Sequence, residues 1–161
     1  MRRLHLLLVV AAIGLLGTGI FVGRVIAQAG DAPSAERLPL AESTKVKGAS
    51  GRTLGLSKVT IPVGGQIALH HHKGTQAAFI QSGTLTYTVK SGSVTVMKGP
   101  ADRATVLRKI KSGQTGKIGA GQWIVEQPST IHRAANKGSS KVVIFLVTLL
   151  RSGAPPSTPN D

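Results

Sequence analysis

The chain lacks cysteine, and its aromatic residues are few. The 161 residues include three Phe, one Tyr and one Trp. Without thiols there can be no zinc ribbon, no cysteine nucleophile and no iron–sulfur site. Disulfides are permitted outside the cell but are not obligatory, so the absence of cysteine leaves the compartment open. A core drawn mainly from Val, Ile and Leu, with 20 glycines for turns, favours a small β-domain.

Acidic residues are also scarce. The chain has 20 Lys and Arg against 6 Asp and Glu, a net charge of +14, and between Lys45 and Arg151 the only acids are Asp102 and Glu126. Such a field attracts anionic small molecules and polyanions. There is no dense basic run and almost no aromatic to stack a base, so nucleic acid is not expected. Anionic membrane lipid or an acidic cell-wall polymer is the expected macromolecular partner; charge that serves only solubility is the alternative.

The N-terminal residues have the pattern of an export segment. Arg2 and Arg3 precede an uncharged apolar run, residues 6–23, and a small-x-small sequence ends at Ala29. Residues 1–29 are therefore interpreted as a secretory signal, or as a helix that the apolar run keeps in the membrane as an anchor. Either way, the rest of the chain is expected outside the cytoplasm, in the periplasm, the cell envelope or the medium.

The remainder divides into three parts. Residues 30–44 are small, polar and proline-containing, which predicts a linker or arm, and the proline-rich residues 152–161 predict a disordered tail. Residues 45–151 contain short alternating runs separated by glycine turns. In one of them Leu85, Tyr87 and Val89 share a face. This domain is expected to be all-β, a sandwich or a barrel.

The histidines of the domain lie at positions 70–72 and 132. In an extended strand, residues i and i+2 point the same way, so His70 and His72 share a face and His71 points to the other. Two imidazoles at this spacing suit a divalent cation, and His132 could add a third from another strand.

Two motifs in this region resemble those of the cupin superfamily, in particular the small single-domain cupins. The first has the form Gly-x5-His-x-His-x3-4-Glu-x6-Gly, and the second Gly-x5-Pro-x-Gly-x2-His-x3-Asn. The first is matched with Gln in place of Glu, by Gly64, His70, His72, Gln76 and Gly83. The second is matched without its Pro and its middle Gly, by Gly121, His132 and Asn136. The resemblance covers about residues 54–150.

This resemblance implies a double-stranded β-helix, or jelly-roll, barrel with one divalent metal ion, either Fe, Mn, Zn or Ni. It implies His70, His72 and His132 as ligands. Gln76 takes the fourth place, or serves only as a hydrogen-bonding group. Because the amide of Gln76 is neutral, this ligand set leaves the full metal charge in place, which favours an anionic ligand.

For function, the resemblance implies a metal-dependent enzyme of the dioxygenase, isomerase or lyase type, with a small anionic or carbonyl-bearing substrate. The alternative is a non-catalytic module that binds carbohydrate or an anion through the metal. Glu126 and Tyr87 are the acid–base candidates. Packing in the barrel interior explains the presence of Tyr87 equally well. An ion pair with a neighbouring Lys or Arg is the alternative explanation for Glu126. A homodimer is left open.

Overall fold

The computed structural model describes residues 33–160, so the predicted export segment, residues 1–29, lies outside the described part. All regular elements in residues 33–160 are strands, apart from a 3-10 turn at Ala101–Arg103. Within the same residues, no helix is long and apolar enough to span a membrane. The strands are β1 (Glu36–Ser43), β2 (Arg52–Ile61), β3 (Gln66–His71), β4 (Gly74–Ser82), β5 (Thr84–Ser91), β6 (Ser93–Lys98), β7 (Thr105–Lys111), β8 (Thr115–Gly119), β9 (Gln122–Glu126), β10 (Ile131–Ala135), β11 (Val142–Arg151) and β12 (Thr158–Pro159).

The strands form two antiparallel sheets. One has seven strands in the order β1-β2-β11-β4-β9-β6-β7, and the other has five in the order β12-β3-β10-β5-β8. Sequential strands often lie in different sheets, as in a jelly roll. The prediction of an all-β fold is confirmed for the described residues.

Alternation along the strands explains how the two sheets bury a common core. In β5, Leu85, Tyr87 and Val89 are buried, while the threonines between them point outward. The core cluster is almost entirely aliphatic and takes residues from both sheets, including Ile80 and Ile118. Gly83 joins β4 to β5 with φ +78°, a left-handed conformation that favours glycine. The sparse aromatic content is thus compatible with a well-packed interior.

The two segments that flank the predicted domain both contribute strands to the sheets. Of the predicted linker, residues 36–43 form β1, which pairs with β2 along its length. In the predicted tail, β12 pairs with β3, and the backbone N–H of Asn160 donates to Leu69 O at 3.0 Å. The expectation of disorder was wrong for residues 158–160, and residues 36–43 are an arm on the sheet instead of a linker. Pairing with an exposed sheet edge supplies backbone hydrogen bonds that do not depend on an apolar pattern.

Candidate metal centre

Three histidines come together on neighbouring strands of the five-stranded sheet. His70 lies in β3, His72 follows that strand directly, and His132 in β10 is the cross-strand partner of His70. All three are buried, and their ligand atoms lie within 4.8 Å of one another. Three imidazoles in this arrangement could hold a divalent metal ion, as the sequence predicts.

Backbone carbonyls orient all three rings. Nδ1 of His70 donates to Ala68 O at 2.7 Å, Nδ1 of His72 to Pro156 O at 2.7 Å, and Nδ1 of His132 to Thr130 O at 3.3 Å. A carbonyl only accepts, so each Nδ1 carries the proton and each neutral ring keeps its Nε2 lone pair for a metal. Metal-binding histidines are commonly held in this way. The donor set therefore fits a metal ion.

His71 lies outside this cluster. Its ring is half-buried, and its Nδ1 donates to Oδ1 of Asn160 at 2.7 Å. Strand parity predicted this separation of His71 from its two neighbours. The role of His71 in the fold is to hold the C-terminal residues.

Gln76, predicted in the fourth ligand place, is buried beside His72. Its Nε2 lies 2.9 Å from Nε2 of His72 and also donates to Oε2 of Glu126, while its Oε1 has no hydrogen-bond partner among residues 33–160. An amide binds a metal through oxygen. In this arrangement Gln76 is a hydrogen-bonding group, and ligation would require the amide to turn.

Glu126 and Tyr87 lie at the same cluster. Oε1 of Glu126 is 3.2 Å from Nε2 of His132, and Oε2 is 3.5 Å from Nε2 of His72. The Tyr87 hydroxyl donates to Oε1 at 2.7 Å. Glu126 is thus not paired with a surface Lys or Arg. Contrary to the expectation of an uncharged ligand environment, the site contains a buried carboxylate.

Burial and mutual charge determine the protonation of these groups. Burial, together with the charge of His132, lowers the pKa of His70 to about 4, and burial lowers the pKa of His132. Burial alone would raise the pKa of Glu126, but the adjacent His72 and His132 and the Tyr87 hydroxyl lower it below its ordinary value. Burial, with the charge of Glu126, raises the pKa of Tyr87. At neutral pH the site therefore holds neutral His70 and His132, a carboxylate and a protonated phenol.

The histidines line a cavity of about 210 Å³ between the sheets. Most of its wall is aliphatic, and Gln76, Tyr87 and Glu126 add polar groups beside the histidines. Two parts of the lining were missed by sequence reasoning: Arg37 on β1, and Pro156 with Ser157 before β12. Neither segment carries a motif, and their place at the site follows from strand pairing alone.

Comparisons with known proteins identify the fold. No family model and no curated protein matches the chain. Among solved structures, a cupin 2 domain-containing protein from Halorhodospira halophila is 13% identical, with a TM-score of 0.52 over 80% of this chain and 71% of that one. The polyketide cyclase RemF from Streptomyces resistomycificus is 14% identical, with a TM-score of 0.53 over 81% and 73%. At these identities the likeness shows the cupin fold and nothing further.

Proposed function

We propose that this chain is a metal-dependent enzyme acting on a small anionic or carbonyl-bearing molecule, with chemistry of the dioxygenase, isomerase or lyase type. The observation that carries the proposal is the buried carboxylate of Glu126, placed against two of the three histidines. A site that only retained a metal for structural reasons would not need an ionised group beside an apolar cavity.

His70, His72 and His132 would hold the ion, either Fe, Mn, Zn or Ni, through their Nε2 atoms. When bound, the metal supplies a Lewis-acid centre for an oxygen of the ligand. Glu126 can accept a proton from a group held at the cavity, and Tyr87 and Gln76 fix its orientation by donating to its two oxygens. The aliphatic wall excludes water, which strengthens these interactions.

The fold of this chain is compatible with catalysis, since one structural neighbour is described as a polyketide cyclase. The alternative is a non-catalytic module that binds carbohydrate or an anion through the metal. The direction of the Glu126 pKa is consistent with it, because the adjacent histidines and the Tyr87 hydroxyl lower that pKa despite burial, which makes the carboxylate a weaker base.

The test compares Glu126→Gln with the unaltered chain, each loaded in turn with Fe, Mn, Zn and Ni. Turnover is measured on a panel of small carboxylates and carbonyl compounds. Glu126→Gln keeps the shape of the side chain and removes its basicity, so we expect the metal content to be unchanged and turnover to fall by about 10² to 10⁴-fold.

The matched control is Asp102→Asn, which makes the same chemical change on the exposed surface, where Asp102 pairs with Arg103. We expect it to change neither metal content nor turnover. Loss of metal from Glu126→Gln would make Glu126 a ligand instead of a base. Tight metal binding with no turnover by the unaltered chain would favour the binding module.

We further propose that the chain is exported, to the periplasm, the cell envelope or the medium, with residues 1–29 as a cleaved signal or residues 6–23 as a retained membrane anchor. An anionic membrane or acidic cell-wall polymer is the proposed macromolecular partner, and the net charge of +14 supports it. A homodimer is compatible with the exposed apolar side chains on the outer face of the seven-stranded sheet, such as Phe79 and Val147.

A further inference from the structure

Arg37 is the basic side chain at the cavity that contains the histidines. It lies in β1, where its cross-strand partner is Val59, a core residue of β2. Cross-strand partners in an antiparallel pair project to the same face, so Arg37 points toward the interior. The histidines come from the five-stranded sheet, whereas Arg37 comes from the seven-stranded one. The two sheets thus present a cation and a metal-binding cluster to one space.

The guanidinium of Arg37 is only partly satisfied. Nε donates to Oγ of Ser57 at 3.2 Å, and no salt bridge within residues 33–160 includes Arg37. A guanidinium has five N–H donors, so four remain beyond the bond to Ser57. Burial lowers the pKa of Arg37 from its ordinary value, yet an arginine stays charged at neutral pH. A half-buried cation without a counter-charge is unfavourable, and an anion would relieve it.

The surroundings restrict what that anion can be. The wall of the cavity beside Arg37 is aliphatic and includes Val59, Ile144 and Leu146. Glu36 also borders the cavity, but it is exposed and alternates with Arg37 along the strand. A cavity of about 210 Å³ admits only a small ligand, and an aliphatic wall disfavours a multiply charged one.

Arg37 also borders a second space. It lines, with Ser57 and Thr148, a cleft of about 440 Å³ that has Arg37 and Pro156 in common with the lining of the cavity. Ser57 and Thr148 are buried hydroxyl residues, so this cleft has a polar floor. A charged group at Arg37 would therefore meet polar groups on one side, and the body of its molecule would meet aliphatic groups on the other.

We propose that Arg37 forms a carboxylate-binding subsite, and that the ligand of this chain is a small monocarboxylate with a short apolar body. The carboxylate is bound by the free N–H groups of Arg37, and the apolar body lies along the cavity wall toward the histidines. A planar guanidinium matches the two oxygens of a carboxylate. This subsite would narrow the ligand class of the proposed function to small monocarboxylates. The role of the histidines as metal ligands is taken from that proposed function.

The experiment is a calorimetric titration of the full chain, loaded with zinc, with butyrate and with its neutral analogue butyramide. Arg37→Gln removes the charge and Arg37→Lys keeps it without the planar fork. Arg37→Gln removes hydrogen bonds to a charged group, which contribute more to binding free energy than neutral ones. We therefore expect this variant to bind butyrate about 10 to 100-fold more weakly. Arg37→Lys should weaken that binding less, and neither variant should change the binding of butyramide.

The control is Arg108→Gln, which removes one positive charge from an exposed position on β7. It distinguishes the effect of a local subsite from the effect of the overall positive charge, and it should leave butyrate binding unchanged. Zinc content and thermal unfolding are measured for each variant. If Arg37→Gln does not fold, Arg37→Lys carries the test.

The subsite is overturned if a folded Arg37 variant binds butyrate as tightly as the unaltered chain does. It is also overturned if the unaltered chain prefers butyramide. These outcomes leave the enzyme proposal standing. Arg37-dependent butyrate binding without turnover on any carboxylate would instead remove the enzyme proposal and leave the subsite.

Discussion

Gln76 and Glu126 determine the charge beside the histidines. They are cross-strand partners on β4 and β9, and Gln76 donates to the carboxylate. The cupin motif places a carboxylate at position 76, but in this chain the nearest carboxylate is on the adjacent strand. The negative charge is thus present at the site, displaced by one strand.

This pairing changes what Gln76→Glu should do. In the metal-free chain the substitution brings two buried carboxylates into contact, which should lower the free energy of unfolding by about 2 to 4 kcal/mol at pH 7. Zinc should recover much of this loss, because a divalent cation offsets the repulsion. Chemical denaturation with and without zinc measures both effects.

Gln81→Glu is the matched control, since Gln81 is exposed on the same strand. It should change the free energy of unfolding by less than about 0.5 kcal/mol. If the metal-free Gln76→Glu chain is as stable as Gln81→Glu, the contact between positions 76 and 126 is not the determinant of charge at the site.

Strand parity explains which site residues the sequence could reveal. His70 and His72 were predicted from their spacing, because parity and motif agree there. In β9, Ile124 and Glu126 are the buried pair, and Val125 is exposed. The single Trp is half-buried, and its Nε1 donates to Gly99 O at 2.9 Å. When a short strand has apolar residues on both faces, the sequence does not indicate which face is buried. The burial of Glu126 beside the histidines therefore could not be predicted.

At the scale of elements, the segment that contains β12 is part of the candidate metal centre. Pro156 O accepts from His72, Asn160 accepts from His71, and β12 pairs with β3. The sequence could not predict this, since a proline-rich segment has no alternation and its hydrogen bonds come from a strand edge. The same holds for β1, where most side chains are exposed and only Arg37 is partly buried within the strand.

Removing residues 155–161 should therefore weaken metal binding while leaving the barrel folded. The truncation takes away the carbonyl that orients His72, and loss of such an orienting partner typically costs 10 to 100-fold in metal affinity. Competition titration with a zinc chelator measures the affinity, and circular dichroism checks the sheets.

Asn160→Ala supplies the comparison, because it breaks the bond to His71 and keeps the Pro156 carbonyl. Its effect on zinc affinity should be smaller than that of the truncation. Unchanged affinity in the truncated chain would show that His72 keeps its orientation without Pro156.

At the scale of the whole molecule, charge is the dominant property. The fold class and the histidine cluster could be predicted because periodicity and motif spacing encode them. The net charge of +14 is equally plain in the sequence, but charge alone does not name a partner.

We expect the chain to be retained by immobilised polygalacturonate, an acidic polysaccharide, at about 0.05 M salt and released at about 0.5 M, where charges are screened over a few ångströms.

Dextran, a neutral polysaccharide, is the control for that measurement. Retention on dextran, or retention on polygalacturonate that salt does not reverse, would mean that charge does not govern binding to the polymer. Arg37→Gln should bind polygalacturonate as the unaltered chain does, since the field comes from many residues and the subsite from one.

The contact between Pro156 and His72 also has a consequence in time. A ribosome releases residue 72 long before residue 156, and 84 positions separate the ring from the carbonyl that orients it. During synthesis the early histidines therefore emerge without their final geometry, and His132 also comes late. High-affinity uptake of the proposed metal would then be postponed until nearly the whole sequence has emerged, and the ion would be chosen where folding finishes.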